Sequence, residues 1–432
     1  MTRLLSKKKI YLDYAGATPI DKKVAKMISF YERGFFANPS AIYNDGVKVR
    51  SIIDEARSKI AKLINAHDDE IIFTGSGTES DALAILGVIR GWRVKNKNII
   101  PHIITTKIEH PAVLENCRLL ESLGEAEVTY VSVDKMGIIN LEELEDSLKE
   151  NTVLVSVMYV NNEIGTIQPI QEIAKIIRRF RKQNKEEFLR GQTEVQPPKP
   201  VSGWTSERDK TSLPYFHTDA CQAMNYLYTE NIEKLGVDLM TFNSSKIYGP
   251  KGIGILYKKR DIDLLPLYSG GGQEFGLRSG TESVALIIGV AKALEIVNKI
   301  KESEVSRLIK IRDYGIEKLL SLSGISGYKI VLNGDNEKRL PNNINISISG
   351  ISSELLVIEL SAKNIFVSEK SACKSDDENK SYVIKAIRKI CPKDGKEEGS
   401  LRISLGKNTK KGDIDILYKE LKKILKKYNE FK

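Results

Sequence analysis

Cysteine and histidine are scarce in this chain. Its 432 residues hold four of each, and none of the cysteines, Cys117, Cys221, Cys373 and Cys391, belongs to a CxxC pair. His67, His102, His110 and His217 are equally scattered. Such spacing argues against a disulfide framework, against structural zinc and against metal chemistry as the basis for function. Long apolar runs are also missing. No stretch approaches the roughly 18 residues needed to cross a bilayer, and the opening MTRLLSKKKIYLDY lacks the apolar centre of a secretory signal. The expectation is a cytoplasmic protein with no membrane contact, whose chemistry rests on an imported cofactor.

Charge is abundant but dispersed. Lys and Arg number 67 against 57 Asp and Glu, a net charge of +10. An excess of this kind can attract tRNA or an acidic protein. The lysines, however, are mixed with glutamates along the whole chain, and no basic patch interleaved with aromatics stands out, so direct nucleic-acid binding is not expected. A chain of this length exceeds one ordinary core and suits two domains.

From residue 70 short β-rich runs alternate with helical patterns: EIIFT (70–74), HIITTK (102–107), EVTYVSV (127–133), TVLVSVMYV (152–160), YFHTD (215–219), DLMTFN (238–243) and GIGILY (252–257). The alternation predicts crossover units on a mostly parallel sheet. The stretch from 182 to 212 breaks this rhythm, being polar, charged and proline-containing; it reads as an exposed, structureless insertion that Trp204 could dock. After Gly276 the chain changes character, with a helical stretch at 284–322, the alternating strand INISISG (344–350) and a terminal helix. In that helix Ile414, Leu417, Leu421, Ile424, Leu425 and Tyr428 recur at helical spacing.

Four segments could carry chemistry. Gly75-Ser76-Gly77-Thr78 lies between a predicted strand and a predicted helix, where freed N–H groups and small hydroxyls suit a phosphate. The spacing matches neither a Walker motif nor the dinucleotide fingerprint, and a purely structural turn has the same pattern. In His217-Thr218-Asp219-Ala220-Cys221-Gln222 the aspartate falls just past a buried strand, at the edge where open α/β sheets bind ligands. It could pair with a protonated pyridine nitrogen or simply cap a helix. Lys246, in Ser244-Ser245-Lys246-Ile247-Tyr248-Gly249, follows an apolar strand and could form a Schiff base if desolvation frees its amine. Cys373, in Ser371-Ala372-Cys373-Lys374-Ser375, sits among small polar residues and lysines that favour a reactive thiolate. Cys117 and Cys391, in or beside apolar patterns, read as inert thiols.

Together these segments resemble the cysteine desulfurases, class-V aminotransferase-like enzymes of PLP-dependent transferase fold type I. The resemblance runs from YLDYAGATP (11–19) through FANPSA (36–41), FTGSGTESDALAI (73–85), IEHPAV (108–113), VNNEIG (160–165), HTDACQA (217–223), SSKIYGPKGIG (244–254), GGGQEFGLRSGT (270–281) and SACKS (371–375) to LRISLG (401–406). The Cys373 loop is similar to that of the housekeeping iron–sulfur and nitrogen-fixation branch. The resemblance implies a large pyridoxal-phosphate-binding α/β domain over 15–262 with a mostly parallel seven-stranded sheet. Residues 1–14 and 263–432 would form a smaller α+β domain carrying the catalytic cysteine loop.

It further implies roles for particular residues. Lys246 would bind pyridoxal 5'-phosphate covalently, Asp219 would pair with the ring nitrogen, and His110 would stack on the ring and relay protons. Gln222 and Asn162 would lie on the ring-oxygen side. Gly77, Thr78 and Ser245 would hold the phosphate, with Thr281 arriving from the partner subunit of a homodimer. Asn38 and Arg402 would grip the carboxylate of L-cysteine. Cys373 would take the sulfur as a persulfide, releasing L-alanine, and pass it to an acceptor such as an iron–sulfur scaffold or a tRNA-thiolation protein.

The chain departs from the family pattern at three places. Asn243-Ser244-Ser245 stand where Ser-Gly-His usually precedes the lysine, so Ser245 would replace an imidazole at the phosphate. Glu369-Lys370 replace the usual Ser-Gly before SAC, and the insertion at 182–212 has no family counterpart. Other class-V enzymes need Lys246 and Asp219 but no loop cysteine, so Cys373 separates the desulfurase reading from an aminotransferase or lyase. A scaffold that had lost its activity would not need the full residue set, and a tRNA-binding role would rest on charge alone.

Overall fold

A computed structural model describes residues 8–191, 213–369, 381–388 and 398–430. Its largest sheet has seven strands: β2 (Ile71–Thr74), β3 (His102–Thr106), β4 (Glu127–Val131), β5 (Thr152–Ser156), β6 (Tyr215–Asp219), β7 (Leu239–Asn243) and β8 (Gly254–Lys258). They lie in the order β2-β8-β7-β6-β5-β3-β4, and β8 alone runs against its neighbours. Strands β2, β3, β5 and β6 are buried along their whole length. Burial on both faces explains their near-continuous apolar and β-branched character.

Helices cover both faces of this sheet. They are α1 (Lys22–Gly34), α2 (Asn44–Ile64), α3 (Gly77–Lys95), α4 (Pro111–Ser122), α5 (Leu141–Asp146), α6 (Ile170–Gly191) and α7 (Ile232–Leu235). The 38-residue α8 (Val284–Ser321) packs against α1 and α2. After a short α9 (Ser323–Ser326), strands β9 (Ile330–Leu332), β10 (Asn343–Ser349) and β12 (Glu398–Ser404) form an antiparallel sheet in the order β12-β10-β9. Helices α10 (Ser353–Ser361), α11 (Tyr382–Arg388) and α12 (Lys411–Asn429) accompany it, and β1 (Ile10–Tyr11) pairs in parallel with β11 (Ile365–Phe366).

Alternation along β10 ties the two sheets together. Ile344, Ile346 and Ile348 enter the main apolar core, while Asn343, Asn345 and Ser347 are buried on the opposite face. There the Asn343 and Asn345 amides each donate to the Glu163 carbonyl at 3.0 Å, so the polar face is satisfied by the segment that follows β5.

One sequence expectation needs correcting. Residues 182–191 belong to α6 and are not structureless. High charge without an apolar period does not exclude a helix, because Lys, Arg, Gln and Glu are all good helix formers. The rest of the proposed insertion, with Trp204, lies outside the described residues, as do Cys373 and Cys391.

Candidate active site

Strand ends and the turns after them place most of the expected side chains in one cavity of about 240 Å³. Gly77, Thr78, His110, Asn162, Asp219, Gln222, Ser245, Lys246 and Arg402 all line it. The strands deliver their residues at their carboxyl ends, as expected for an open α/β sheet. Asp219 closes β6, and Lys246 ends a single 3-10 turn, Ser244–Lys246, that continues β7.

Lys246 Nζ donates to the carbonyls of Ala15, at 2.8 Å, and Gly16, at 2.6 Å. Burial lowers its pKa from the ordinary lysine value, with the nearby Arg402 acting in the same direction. A larger neutral fraction is the condition for an amine nucleophile. Gln222 Nε2 donates to the same Ala15 carbonyl at 2.9 Å. Asp219 is 8% exposed, and its Oδ1 accepts the Cys221 N–H at 2.8 Å, which fixes the carboxylate at the strand end.

His110 is the N-cap of α4, and its Nδ1 accepts the Ala112 N–H at 3.1 Å. Burial lowers the imidazole's pKa. The neutral ring therefore carries its proton on Nε2, because Nδ1 is engaged as an acceptor.

Arg402 comes from the second sheet. It is 2% exposed; Nη2 donates to Asp13 Oδ1 and Nη1 to the Asn162 carbonyl, each at 3.0 Å. Among the described residues, its Nε and the Asn162 Oδ1 are buried polar atoms without a hydrogen-bond partner. Such orphans at the wall of a cavity are the sites a ligand would satisfy.

The phosphate-type features fit an anion. Ser76 caps α3 by accepting the Glu79 N–H, which leaves the first-turn N–H groups of Gly77 and Thr78 without an intrahelical acceptor. A Cβ on Gly77 would stand 2.9 Å from Asn243 Nδ2 and 3.0 Å from Cys221 Sγ, so only glycine fits this wall. Ser245 Oγ donates to Asn243 Oδ1 at 2.9 Å, within the same lining. An amine, a carboxylate opposite it, an anion cradle and a buried guanidinium together suit pyridoxal phosphate and an amino-acid carboxylate.

Two expected residues are not brought in. Asn38 and Thr281 are exposed and line no part of this cavity. Several groups at the site were not anticipated: Asp13 as the partner of Arg402, the Ala15 and Gly16 carbonyls, and Cys221 and Asp81 on the cavity wall. Burial and the nearby Asp219 raise the pKa of Asp81, and burial likewise raises that of Cys221. The segments carrying them were visible as motifs, but nothing in their spacing marks a carbonyl as a lysine's acceptor. Cys117 is fully buried in α4, its thiol pushed up to about 12 by burial.

The chain matches the Aminotransferase class-V family over residues 10–183 and 208–417. It is 40% identical to a cysteine desulfurase IscS of Dictyoglomus turgidum, over 98% of this chain and 95% of that protein. A cysteine desulfurase IscS of Methanosarcina thermophila is 38% identical, over 97% and 93%. Among solved structures, a NifS-like protein superposes with a TM-score of 0.80 and 31% identity, covering 97% of this chain and 99% of that one. SspA in complex with cysteine gives a TM-score of 0.67 at 30% identity, over 92% and 99%.

Proposed function

The chain belongs to the cysteine desulfurase family of class-V aminotransferase-like enzymes, and from that premise we propose how its own residues work. It removes sulfur from L-cysteine, releases L-alanine and carries the sulfur as a persulfide on Cys373. One observation carries this reading: Lys246, Asp219, His110 and Arg402 converge on a single cavity beside an open helix N-terminus.

Lys246, Asp219, His110, Asn162, Gln222, Gly77, Thr78 and Ser245 would hold pyridoxal 5'-phosphate. When bound, the cofactor supplies an electron-withdrawing ring that stabilises negative charge at the substrate α-carbon. Arg402 binds the substrate carboxylate with donors now shared between Asp13 and the Asn162 carbonyl, and Asn38, exposed outside the cavity, would complete this grip only by moving in. Lys246 Nζ and His110 Nε2 are the atoms that hold and return protons. The Cys373 thiolate attacks the substrate sulfur, so the carbon–sulfur bond breaks, a sulfur–sulfur bond forms and the three-carbon product leaves as alanine.

The same reading makes the enzyme a cytoplasmic homodimer, divided into a large domain over 15–262 and a small one from 1–14 with 263–432. Exposed apolar side chains support pairing: Phe36 is 88% and Ile42 96% exposed, beside exposed Tyr43 and Val47. In the dimer Thr281 reaches the partner's phosphate, and the persulfide passes to an iron–sulfur scaffold or a tRNA-thiolation protein.

The test is visible absorbance of the purified protein together with alanine and sulfide release from L-cysteine. Wild type should show the absorbance of lysine-bound cofactor and turn over; Lys246→Ala should lose the band, and Cys373→Ala should keep the band and lose turnover. Undiminished sulfide and alanine release by Cys373→Ala would replace the desulfurase reading with a lyase.

A further inference from the structure

Glu79 lies in the first turn of α3, outside the cavity lining, yet it binds the turn that would hold the phosphate. Its Oε2 accepts the Gly75 N–H at 2.7 Å. Its Oε1 accepts from Arg278 Nε and from the Tyr268 hydroxyl, each at 3.0 Å. The side chain is 19% exposed, so the carboxylate is largely shielded.

Arg278 and Tyr268 are a firm abutment because their own segment is pinned independently. Glu274, four residues before Arg278, is 4% exposed and holds both Arg57 and the Phe73 N–H of β2. Gln273 Oε1 accepts the Gly280 N–H at 3.0 Å on the other side. Glu79 therefore bridges two fixed bodies, the 268–280 segment and the Gly75–Thr78 turn.

Glycine at 75 leaves the room this contact uses. A Cβ there would stand 2.6 Å from Glu79 Oε2, closer than real Cβ atoms come, and the flexible carboxylate is what would have to move. Nothing in the backbone otherwise demands glycine, since Gly75 is absent from the positive-φ positions.

We propose that Glu79 is a positioning residue for the cofactor phosphate: by holding the Gly75 N–H against the 268–280 segment, it fixes the strand-to-helix turn so that the Gly77 and Thr78 N–H groups face the phosphate. The inference rests on the cofactor reading above. It assigns Glu79 no contact with the ligand, and it makes the phosphate the only part of the cofactor that senses the clamp.

Two ligands separate this role from a general one. Pyridoxal phosphate and pyridoxal, which lacks the phosphate, are titrated into cofactor-free protein and followed by visible absorbance, for wild type, Glu79→Gln and Gly75→Ala. Losing a charge-assisted hydrogen bond that orients the cradle should weaken pyridoxal phosphate about tenfold in Glu79→Gln. Pyridoxal affinity should stay within about twofold in that variant. Gly75→Ala, which displaces the same carboxylate from the other side, should reproduce the pattern. Equal weakening of both ligands, or unchanged affinity for both, would overturn the proposal while leaving the cofactor reading in place. A wild type that binds the two ligands alike would remove the cofactor reading and the proposal with it.

Discussion

The buried ion pair between Arg57 and Glu274 gives a prediction whose size can be worked out. Both residues are 4% exposed. The guanidinium and carboxylate meet through two bonds, Nη2 to Oε1 at 2.7 Å and Nη1 to Oε2 at 2.8 Å, and Oε2 also accepts the Phe73 N–H at 2.8 Å. Glu274→Ala strands a guanidinium and an amide N–H away from water. Breaking one side of such a pair costs about 3–5 kcal/mol. The remaining partners, the Ile71 carbonyl and the Phe73 and Phe275 rings with centroids at 4.6 and 5.1 Å, offset part of this. A ring face returns about 1 kcal/mol, so the expected loss is about 3 kcal/mol. Urea denaturation at fixed protein concentration measures it, with Arg57→Met and the double variant Arg57→Met/Glu274→Ala completing a cycle. The double variant should be more stable than Glu274→Ala, because no charge is left buried. A single-variant loss below about 1 kcal/mol would refute the assignment of a desolvated pair, as would a double variant losing the full sum of the singles.

Arg402→Lys keeps the charge but loses the planar fork, so kcat/KM for L-cysteine should fall about 10- to 100-fold while the bound-cofactor absorbance stays unchanged; an unchanged kcat/KM would remove Arg402 from carboxylate binding. Glu109, fully buried beside His110, is pushed up to about 8 by burial. An acid whose folded pKa lies above its unfolded 4.5 loses stability as pH rises between those values. Urea unfolding from pH 5 to 9 should therefore show Glu109→Gln gaining on wild type up to about pH 8 and then running parallel; a constant gap would show that Glu109 does not titrate there.

Legibility in the sequence differed by kind of information. Most of the seven strands were announced by apolar or β-branched runs because burial on both faces leaves few polar interruptions; β4, half-exposed at the sheet edge, is the exception. TVLVSVMYV nonetheless reads as a strand to 160, whereas β5 ends at Ser156 and the chain then turns through Met158 and Val160 to line the cavity. Apolar character marks burial, not extension, and a buried strap shows the same signal as a strand. The opposite error arose at 182–191, where charge suggested loop but α6 continues. Lys246 and Asp219 were candidates from their places at or after strand ends, and their roles, like that of His110, followed only from the family resemblance. Asp13 and the Ala15 and Gly16 carbonyls could not be assigned, since their roles depend on contacts over 200 residues away in sequence.

That distant segment accounts for how a site spread over two sheets can be held together before any ligand arrives. Residues 13–18 cross the cavity as one strap. Asp13 pairs with Arg402 and bridges to Ser404 of β12, Ala15 and Gly16 take Lys246, and Thr18 donates from its N–H and its hydroxyl to the Ser245 carbonyl, both at 2.9 Å. The two cations proposed to meet cofactor and substrate are thus partnered, which lowers the cost of keeping them desolvated. The partners differ in what they allow. Asp13 is a side chain that can yield Arg402 to a substrate carboxylate, whereas the Ala15 and Gly16 carbonyls accept hydrogen bonds without a countercharge. They hold the Lys246 amine in place yet do not lock it in its charged form, as a carboxylate at the same distance would. A lysine that must be desolvated, retained and still able to lose a proton is better served by backbone carbonyls than by an ion pair.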